Sequence, residues 1–471
     1  LRGGGFASGV MAGVPGRHGA TLWTRLDGVE RGGLAQLEVA RDRGFQRVVE
    51  RRSVRVRAER DFTACERVRG LQPGERYFFR FEVASGHSPV GRFRTLRPPD
   101  SHEPVRIGWF TCQNYEEGYF NAHPALAREP DLDFVVCLGD YIYEYGGSGR
   151  LPGRRDPIGE ATTLDAYRAK YNLYRSDPRL RELHSAHAIV PVWDDHEVKN
   201  NCWRAGSEGV VEPGFAERRE AAYRAWFEHM PVPRFRGERT RIYRLLRAGA
   251  LADVIFLDER QYRDAQPCGD AEVVPCPDAA APRSFLGVRQ LDWLRRRLER
   301  SQAAWKLIAN ADMIMGLDAI PGGQKFKDTW DGYAAERREL VEFIIAAGVG
   351  DVVFVTGDDH DNYAGVVTTT GKVGGLPGAL EFVVPSMTSL NTGEILGGGA
   401  AAAVSESTHR ALNPHLELVD QVNHGYVVTE ARRDELLVDF RHTERVDAPE
   451  AAVFTAHRFR VPRGNTRLEP R

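Results

Sequence analysis

Long apolar runs are missing from this chain. No stretch of about 18 consecutive apolar residues occurs among its 471, so no segment reads as a membrane-crossing helix. A dominant charge sign is missing too. Sixty-four Lys and Arg face 66 Asp and Glu, a net of −2, which removes the basis for chain-wide attraction to nucleic acid or an anionic membrane. No internal repeat is present, and no Ser or Cys nucleophile arrangement stands out. Cysteine is sparse: Cys65, Cys112, Cys137, Cys202, Cys268 and Cys276. The last two share the polar loop QPCGDAEVVPCPD, where a local disulfide is the favoured reading, since free cysteines usually lie in cores. That pairing favours an exported protein; two free thiols in a cytosolic loop are the alternative. The chain opens on Leu1, and removal of a signal peptide or truncation would each account for that.

What is present divides into two styles. Apolar content of 42% with 28% charge supports a large core in two or three units. Residues 1–98 read as all-β, with short aromatic and β-branched runs (TLWTRL, LAQLEVARD, RYFFRFEV, VGRFRTL) separated by turn residues. GLQPGERYFFRFE resembles the fibronectin III and immunoglobulin-like pattern, so a small β-sandwich is expected. The Pro-rich RTLRPPDSHEP, residues 94–104, reads as a linker, and 99–471 as one α/β domain.

In that second part, continuous apolar runs end in polar residues. VRIGWF ends at Thr111-Cys112-Gln113, DFVVCLG at Asp140, AIVPVW at Asp194-Asp195-His196, ADVIFL at Asp258-Glu259, WKLIAN near Asp312 and DVVFVTG at Asp358-Asp359-His360. Continuous rather than alternating runs suit strands covered on both faces. FLGVRQLDWLRRRLERSQ sets Leu291, Leu294 and Leu298 on one helical stripe; DGYAAERRELVEFIIAAG is expected to open near Asp331 and close at Gly348. LGGGAAAAV, residues 396–404, reads as a flexible loop. NPHLELVDQVNHGY, residues 413–426, reads as a surface loop, with a covering role over the site as the alternative.

Ligands of open α/β sheets bind at the carboxyl ends of the strands. The residues gathered there are Cys112, Asp140, Tyr143, Asp195, His196, Asn200, Asn201, Asp358 and His360. Taken singly, each has a structural explanation as a core thiol, a cap or a satisfied polar group. Several acids in one small volume repel, and a multivalent cation removes the problem. Thiolate and imidazole suit a transition ion, carboxylate and amide oxygens suit Ca2+ or Mg2+, and a phenolate favours Fe3+. Two unlike ions bridged by Asp140 would use all of these donors, as in the two-metal clamp that acts on phosphate esters.

GDYIY, PVWDDHE and TGDDH resemble the motif blocks of the calcineurin-like metallophosphoesterases. FTCQNYEEGYFNAH, DLDFVVCLGDYIYEY, YRSDPRLRELHSAHAIVPVWDDHEVKNN, DERQYRDAQPC, WDGYAAERREL and VVFVTGDDHDNYAG narrow the resemblance to the alkaline phosphatase D family, over nearly the whole chain. The resemblance implies an αββα sandwich, two central sheets flanked by helices, preceded by the small all-β sandwich. It implies a secreted or cell-envelope phosphoesterase that uses hydroxide generated on the metals to hydrolyse mono- and diesters for phosphate scavenging. Cys112, Asp140, Tyr143 and His360 would hold Fe3+. Asp140, Asp195 and Asp358 would hold Ca2+ with Asn201, Asn200 being a weaker candidate. His196 would stabilise the transition state or protonate the leaving oxygen, so that His196, Asp195 and Asp140 form the catalytic set. Asp359 departs from the family's usual apolar residue; it either recruits another calcium or, as favoured, faces solvent. Cys202 has no assigned role and reads as a core thiol near the site. Substrates would be small phosphate esters or a diester polymer such as teichoic or nucleic acid, with no stable nucleic-acid partner, no membrane insertion and a monomeric chain. A non-enzymatic envelope binding protein with a vestigial metal site is the other class; the intact ligand set speaks against it.

Overall fold

The computed structural model describes residues 3–269, 276, 278, 281–321, 323–324 and 328–471. Two sheets lie face to face at its centre. The first has ten strands, in the order Glu469–Pro470, Val453–Pro462, Glu435–Thr443, His424–Ala431, Val105–Phe110, Phe134–Cys137, Ala188–Pro191, Val10–Gly16, Gly19–Arg25 and Thr63–Arg67. The second has seven: Arg244–Ala248, Ala252–Phe256, Trp305–Asn310, Val352–Thr356, Pro377–Val383, Asn362–Thr368 and Leu416–Asp420.

Side-chain alternation shows why the apolar runs are continuous. Val254, Phe256, Leu307, Ala309, Val353 and Val355 join the core shared with the first sheet. Their neighbours Ile255, Ile308, Val352 and Phe354 pack outward, against Leu291, Leu294 and Leu298 of the helix Val288–Arg300 and Leu340, Val341 and Ile344 of the helix Ala334–Ala346. Both faces of each strand are buried, so both registers are largely apolar, and a polar residue such as Asp253 sits there only with a partner, Arg247 at 3.0 Å. Helices cover the outer face of the first sheet in the same way: a Cβ on Gly108 would meet Leu126 of the helix Ala122–Arg128 at 2.6 Å. The result is the αββα sandwich with an all-β region ahead of it.

That N-terminal region is joined to the rest more closely than a linker implies. Gly33–Ala40, Val48–Val56, Arg76–Val83, Gly86–His87 and Gly91–Arg94 form their own five-stranded sheet. Val10–Gly16, however, pairs in parallel with Ala188–Pro191 of the α/β part, Ala12 opposite Ala188 and Gly13 opposite Ile189. One sheet therefore runs through the expected boundary at residue 98.

Four sequence readings are corrected. Only the start of 396–404 is irregular: Gly397 and Gly398 have positive φ, and Gly399–Leu412 is a helix, driven by the four successive alanines 400–403. The segment 413–426 is not a loop but contributes the strand Leu416–Asp420, paired antiparallel with Asn362–Thr368. Asp331 does not open its helix; Thr329 accepts from the Asp331 amide, and the Asp331 carboxylate instead pairs with Arg337 at 2.6 Å. Asp359 is buried, because the positive φ of Asp358 and His360 on either side folds the turn inward. Cys268 and Cys276 form the expected disulfide.

Candidate metal centre

In each sheet the central strands are parallel, and the carboxyl ends of both sets meet at one rim. The turns there are tight. Cys112, Asp140, Asn201, Asp358 and His360 all have φ between 49° and 70°, a left-handed conformation that non-glycine residues rarely adopt. Each is over-determined by its surroundings, since such a residue costs of order 1–3 kcal/mol. Gly139, with φ of 105°, brings the chain within 2.4 Å of Asp194 Cβ at the point where a side chain would stand. The turns aim side chains inward that a relaxed loop would release to water.

Four donors converge on one point. Asp140 Oδ2 lies 3.3 Å from Cys112 Sγ and 3.2 Å from Tyr143 Oη, and Tyr143 Oη lies 3.3 Å from His360 Nε2. His360 Nδ1 donates to the Leu390 carbonyl at 2.7 Å, so its Nε2 carries the lone pair toward the cluster. Ser389 donates to Tyr143 Oη at 2.6 Å and holds the phenol in place. Burial, reinforced by Asp140, raises the Cys112 thiol and the Tyr143 phenol well above their ordinary values. Deprotonating either group requires a cation.

A second set shares Asp140. Oxygens of Asp140, Asp194, Asp195 and Asp358 lie within 4.8 Å of one another. Asp140 is 1% exposed, and its Oδ1 is buried without a hydrogen-bond partner among the described residues. Asp195 is held by amides, accepting from His196 at 2.8 Å and Asn201 at 2.6 Å. Burial raises its carboxyl, but His196, Arg260 and these amides outweigh that and hold it at about 2. Burial, compounded by neighbouring acids, pushes Asp140, Asp312 and Asp358 well above the usual carboxylate range. Such a surplus of buried acid is what a multivalent cation relieves. The donor chemistry fits a softer, highly charged ion on the Cys112 side and an oxygen-liganded ion on the Asp195–Asp358 side, with Asp140 between them.

His196 stands beside both sets, one ring nitrogen within 4.8 Å of oxygens of Asp140 and Asp195. Its Nδ1 bonds Glu144 Oε2 at 2.7 Å and its ring packs on Tyr143 at a centroid distance of 4.1 Å. Burial lowers its proton affinity, but Asp195, Glu144 and Asp140 outweigh burial and raise His196 well above the ordinary imidazole value. The three tyrosines after Asp140 take separate parts. Tyr141 stacks in the core against Tyr171 and His184, Tyr143 joins the donors, and Tyr145, 37% exposed, packs edge-on to His196 at the mouth. Asn200 lies to one side, its amide bonded to Glu144 and its side chain reaching Glu208 at 3.5 Å. Cys202 is a buried thiol 3.8 Å from the Asp195 carbonyl.

Sequence reasoning passed over Glu144, Arg260 and Arg263. Arg260, 1% exposed, pairs with Asp194 at 3.0 Å and Asp312 at 2.7 Å, and lies 3.5 Å from Asp358. Arg263 reaches Asp312 at 3.4 Å and the Asp328 carbonyl at 2.6 Å. Two guanidiniums thus fix the outer acids, which leaves Asp140, Asp195 and Asp358 facing the centre.

A two-sheet αββα frame with metal donors at the rim between its sheets defines a metallophosphoesterase-type fold. The model of the PhoD-like phosphatases matches residues 107–440, and that of the PhoD-like phosphatase N-terminal domain matches residues 2–97. Alkaline phosphatase D of Bacillus subtilis (strain 168) is 34% identical over 98% of this chain and 82% of its own length. A solved structure of PhoD superposes with a TM-score of 0.92 at 31% identity, covering 99% of this chain and 92% of that one. The purple acid phosphatase PPD1 of yellow lupin (Lupinus luteus) seeds shares the fold at a TM-score of 0.54 and 12% identity, covering 95% of this chain and 73% of that one. This chain belongs to the PhoD-like phosphatase family, and with it to the phosphoric ester hydrolases.

Proposed function

We propose that the protein is a secreted or cell-envelope phosphoesterase that uses one Fe3+ with Ca2+ to hydrolyse small phosphate mono- and diesters, and so serves phosphate scavenging. The observation that carries the reading is Asp140. Its Oδ2 sits among a thiol and a phenol, while its carboxylate also stands among Asp194, Asp195 and Asp358. One residue shared by a sulfur- and nitrogen-containing set and an all-oxygen set is the signature of two unlike ions side by side. Cys112, Asp140, Tyr143 and His360 would hold the iron; Asp140, Asp195, Asp358 and Asn201 would hold calcium. When bound, such a pair supplies an activated water near neutral pH and positive charge opposite the phosphoryl oxygens.

The chain's own residues do the rest. Glu144 fixes His196 through Nδ1 and leaves Nε2 to meet a substrate oxygen. His196, whose proton affinity Glu144 raises, would steady the growing negative charge and give its proton to the departing oxygen. Arg260 holds Asp194 and Asp312 so that neither turns into the centre. The rim of Tyr145 beside His196 limits water at the mouth. The disulfide between Cys268 and Cys276 supports an oxidising location. We assign residues 1–98 as the N-terminal domain and 99–471 as the catalytic domain, acting as a monomer.

Side-by-side hydrolysis of nitrophenyl phosphate and bis-nitrophenyl phosphate, before and after chelation and with calcium returned, tests the proposal. Turnover lost to chelator and restored by calcium is expected. Turnover indifferent to chelation, with metal analysis confirming removal, would overturn it.

A further inference from the structure

The strand order gathers three more metal-capable side chains at a seam outside the catalytic set. Asp420 ends the strand Leu416–Asp420 of the second sheet, while His442 and His457 lie in Glu435–Thr443 and Val453–Pro462 of the first. A bulge makes this possible. His442 opposes Phe454, but the register shifts before Phe440, which opposes His457. Without the extra residue, His457 would lie on the opposite face from His442. With it, the two imidazoles share a face at a centroid distance of 5.5 Å.

The donors already stand at ligand spacing. Asp420 Oδ2 is 3.2 Å from His457 Nε2 and 3.7 Å from His442 Nδ1. Donors held 2.0–2.1 Å from a tetrahedral ion stand roughly 3.3–3.4 Å apart. Hydrogen bonding then fixes the state of His442. Asn362 Nδ2 donates to the carbonyls of Asp420 and Asn423, each at 3.0 Å, which turns its Oδ1 toward His442 Nε2 at 2.9 Å. A carbonyl oxygen only accepts, so Nε2 bears the hydrogen and Nδ1 keeps a bare lone pair. Among the described residues that Nδ1 is buried without a hydrogen-bond partner, on a residue 0% exposed, and it faces the Asp420 carboxylate. Two acceptors facing each other across buried space repel unless a cation lies between them.

We propose that Asp420, His442 and His457 form a metal site separate from the catalytic centre, for a divalent transition ion of the zinc type. Two imidazole nitrogens and one carboxylate oxygen suit such an ion better than the all-oxygen cages of calcium or magnesium. The side chain of His457 is 35% exposed, which leaves a coordination position open to solvent. Outer contacts orient the carboxylate: Asn423 Nδ2 reaches both of its oxygens, at 3.0 and 2.9 Å. Asn362, which buttresses the site, lies two residues beyond His360 and pairs with Asp420 in the sheet. The ion clamps the first sheet to the strand Leu416–Asp420, which pairs with the strand Asn362–Thr368 that follows the His360 turn, and the site stands independently of which ester is hydrolysed.

Zinc stoichiometry of the purified protein with its catalytic metals in place tests the proposal. After equilibration with Zn2+ and removal of excess, bound zinc is measured by elemental analysis for the wild type, His457→Ala, Asp420→Asn and Cys112→Ser. His457 is partly exposed, and circular dichroism checks that its variant keeps the fold. The expected result is one zinc fewer per chain in His457→Ala and in Asp420→Asn, with that zinc retained in Cys112→Ser. Equal zinc in the wild type and His457→Ala would overturn the proposal, as would loss of the extra zinc only in Cys112→Ser.

Discussion

Asp140 is asked to serve two donor sets at once, and substitution separates the consequences. Asp140→Asn keeps the shape but removes the shared charge, so metal content and turnover are expected to fall together, turnover by at least about 100-fold. Cys112→Ser is expected to lose iron before calcium, read by elemental analysis; equal loss of both would undo the division of ligands. His196→Ala is expected to lower kcat by about 10²–10⁴-fold with metal content nearly intact. Glu144→Gln, which removes the charge facing His196 Nδ1, is expected to cost about 10–100-fold and to shift the alkaline-side limb of the pH–rate profile to lower pH, because the imidazole that must be protonated loses a neighbour that raises its proton affinity. At this scale, the acids and histidines ending apolar runs were legible in the sequence. Glu144 and Arg260 were not, although both lie in stretches that had drawn attention. Their roles come from partners far along the chain, His196 for the one and Asp194 and Asp312 for the other, and a buried charge declares itself only through what it meets.

Among the elements, the turns do more than the strands. All six apolar runs read from sequence are strands within a residue or two, because burial on both faces leaves an unbroken apolar signal. Their left-handed exits carry no comparable signal, since Cys, Asp and His there are chosen for chemistry against backbone preference. Gly139 is the exception in kind. A methyl at that position would stand 2.4 Å from Asp194 Cβ, so Gly139→Ala is expected to displace Asp194, lower the urea midpoint by about 1–3 kcal/mol equivalent and reduce bound metal. Unchanged metal binding would show that the turn tolerates movement. The misreading of Gly399–Leu412 has a local cause: three glycines, Gly397 to Gly399, masked the helix-forming alanine run behind them.

At the scale of the molecule, the N-terminal region completes the first sheet. Residues 99–471 alone would expose the edge of the strand Ala188–Pro191 at Ala188 and Ile189, and they are expected to aggregate instead of yielding a smaller enzyme. The change of sequence style near residue 98 was legible, but the parallel pairing across it was not, because nothing local specifies a partner nearly 180 residues away. Acid stability is a property of the same continuous core. Burial holds His123 at about 3 and His187 at about 4, below the ordinary imidazole value. The folded state therefore binds fewer protons than the unfolded chain. The stability each neutral ring contributes is complete above about pH 6.5 and is lost as pH falls toward 4 and then 3, by up to about 1.4 kcal/mol per pH unit for each ring. His187→Gln is expected to flatten the fall in urea midpoint between pH 6.5 and 4, and an unchanged slope would contradict this.

The central claim is that Asp140 joins two unlike ions in one ester-hydrolysing centre. The most direct test is elemental analysis of iron and calcium together with nitrophenyl phosphate turnover, on wild type and Asp140→Asn prepared in parallel. The account expects both ions in the wild type and loss of ions and turnover together in the variant. Full turnover by Asp140→Asn, or a wild type active with neither ion, would contradict it.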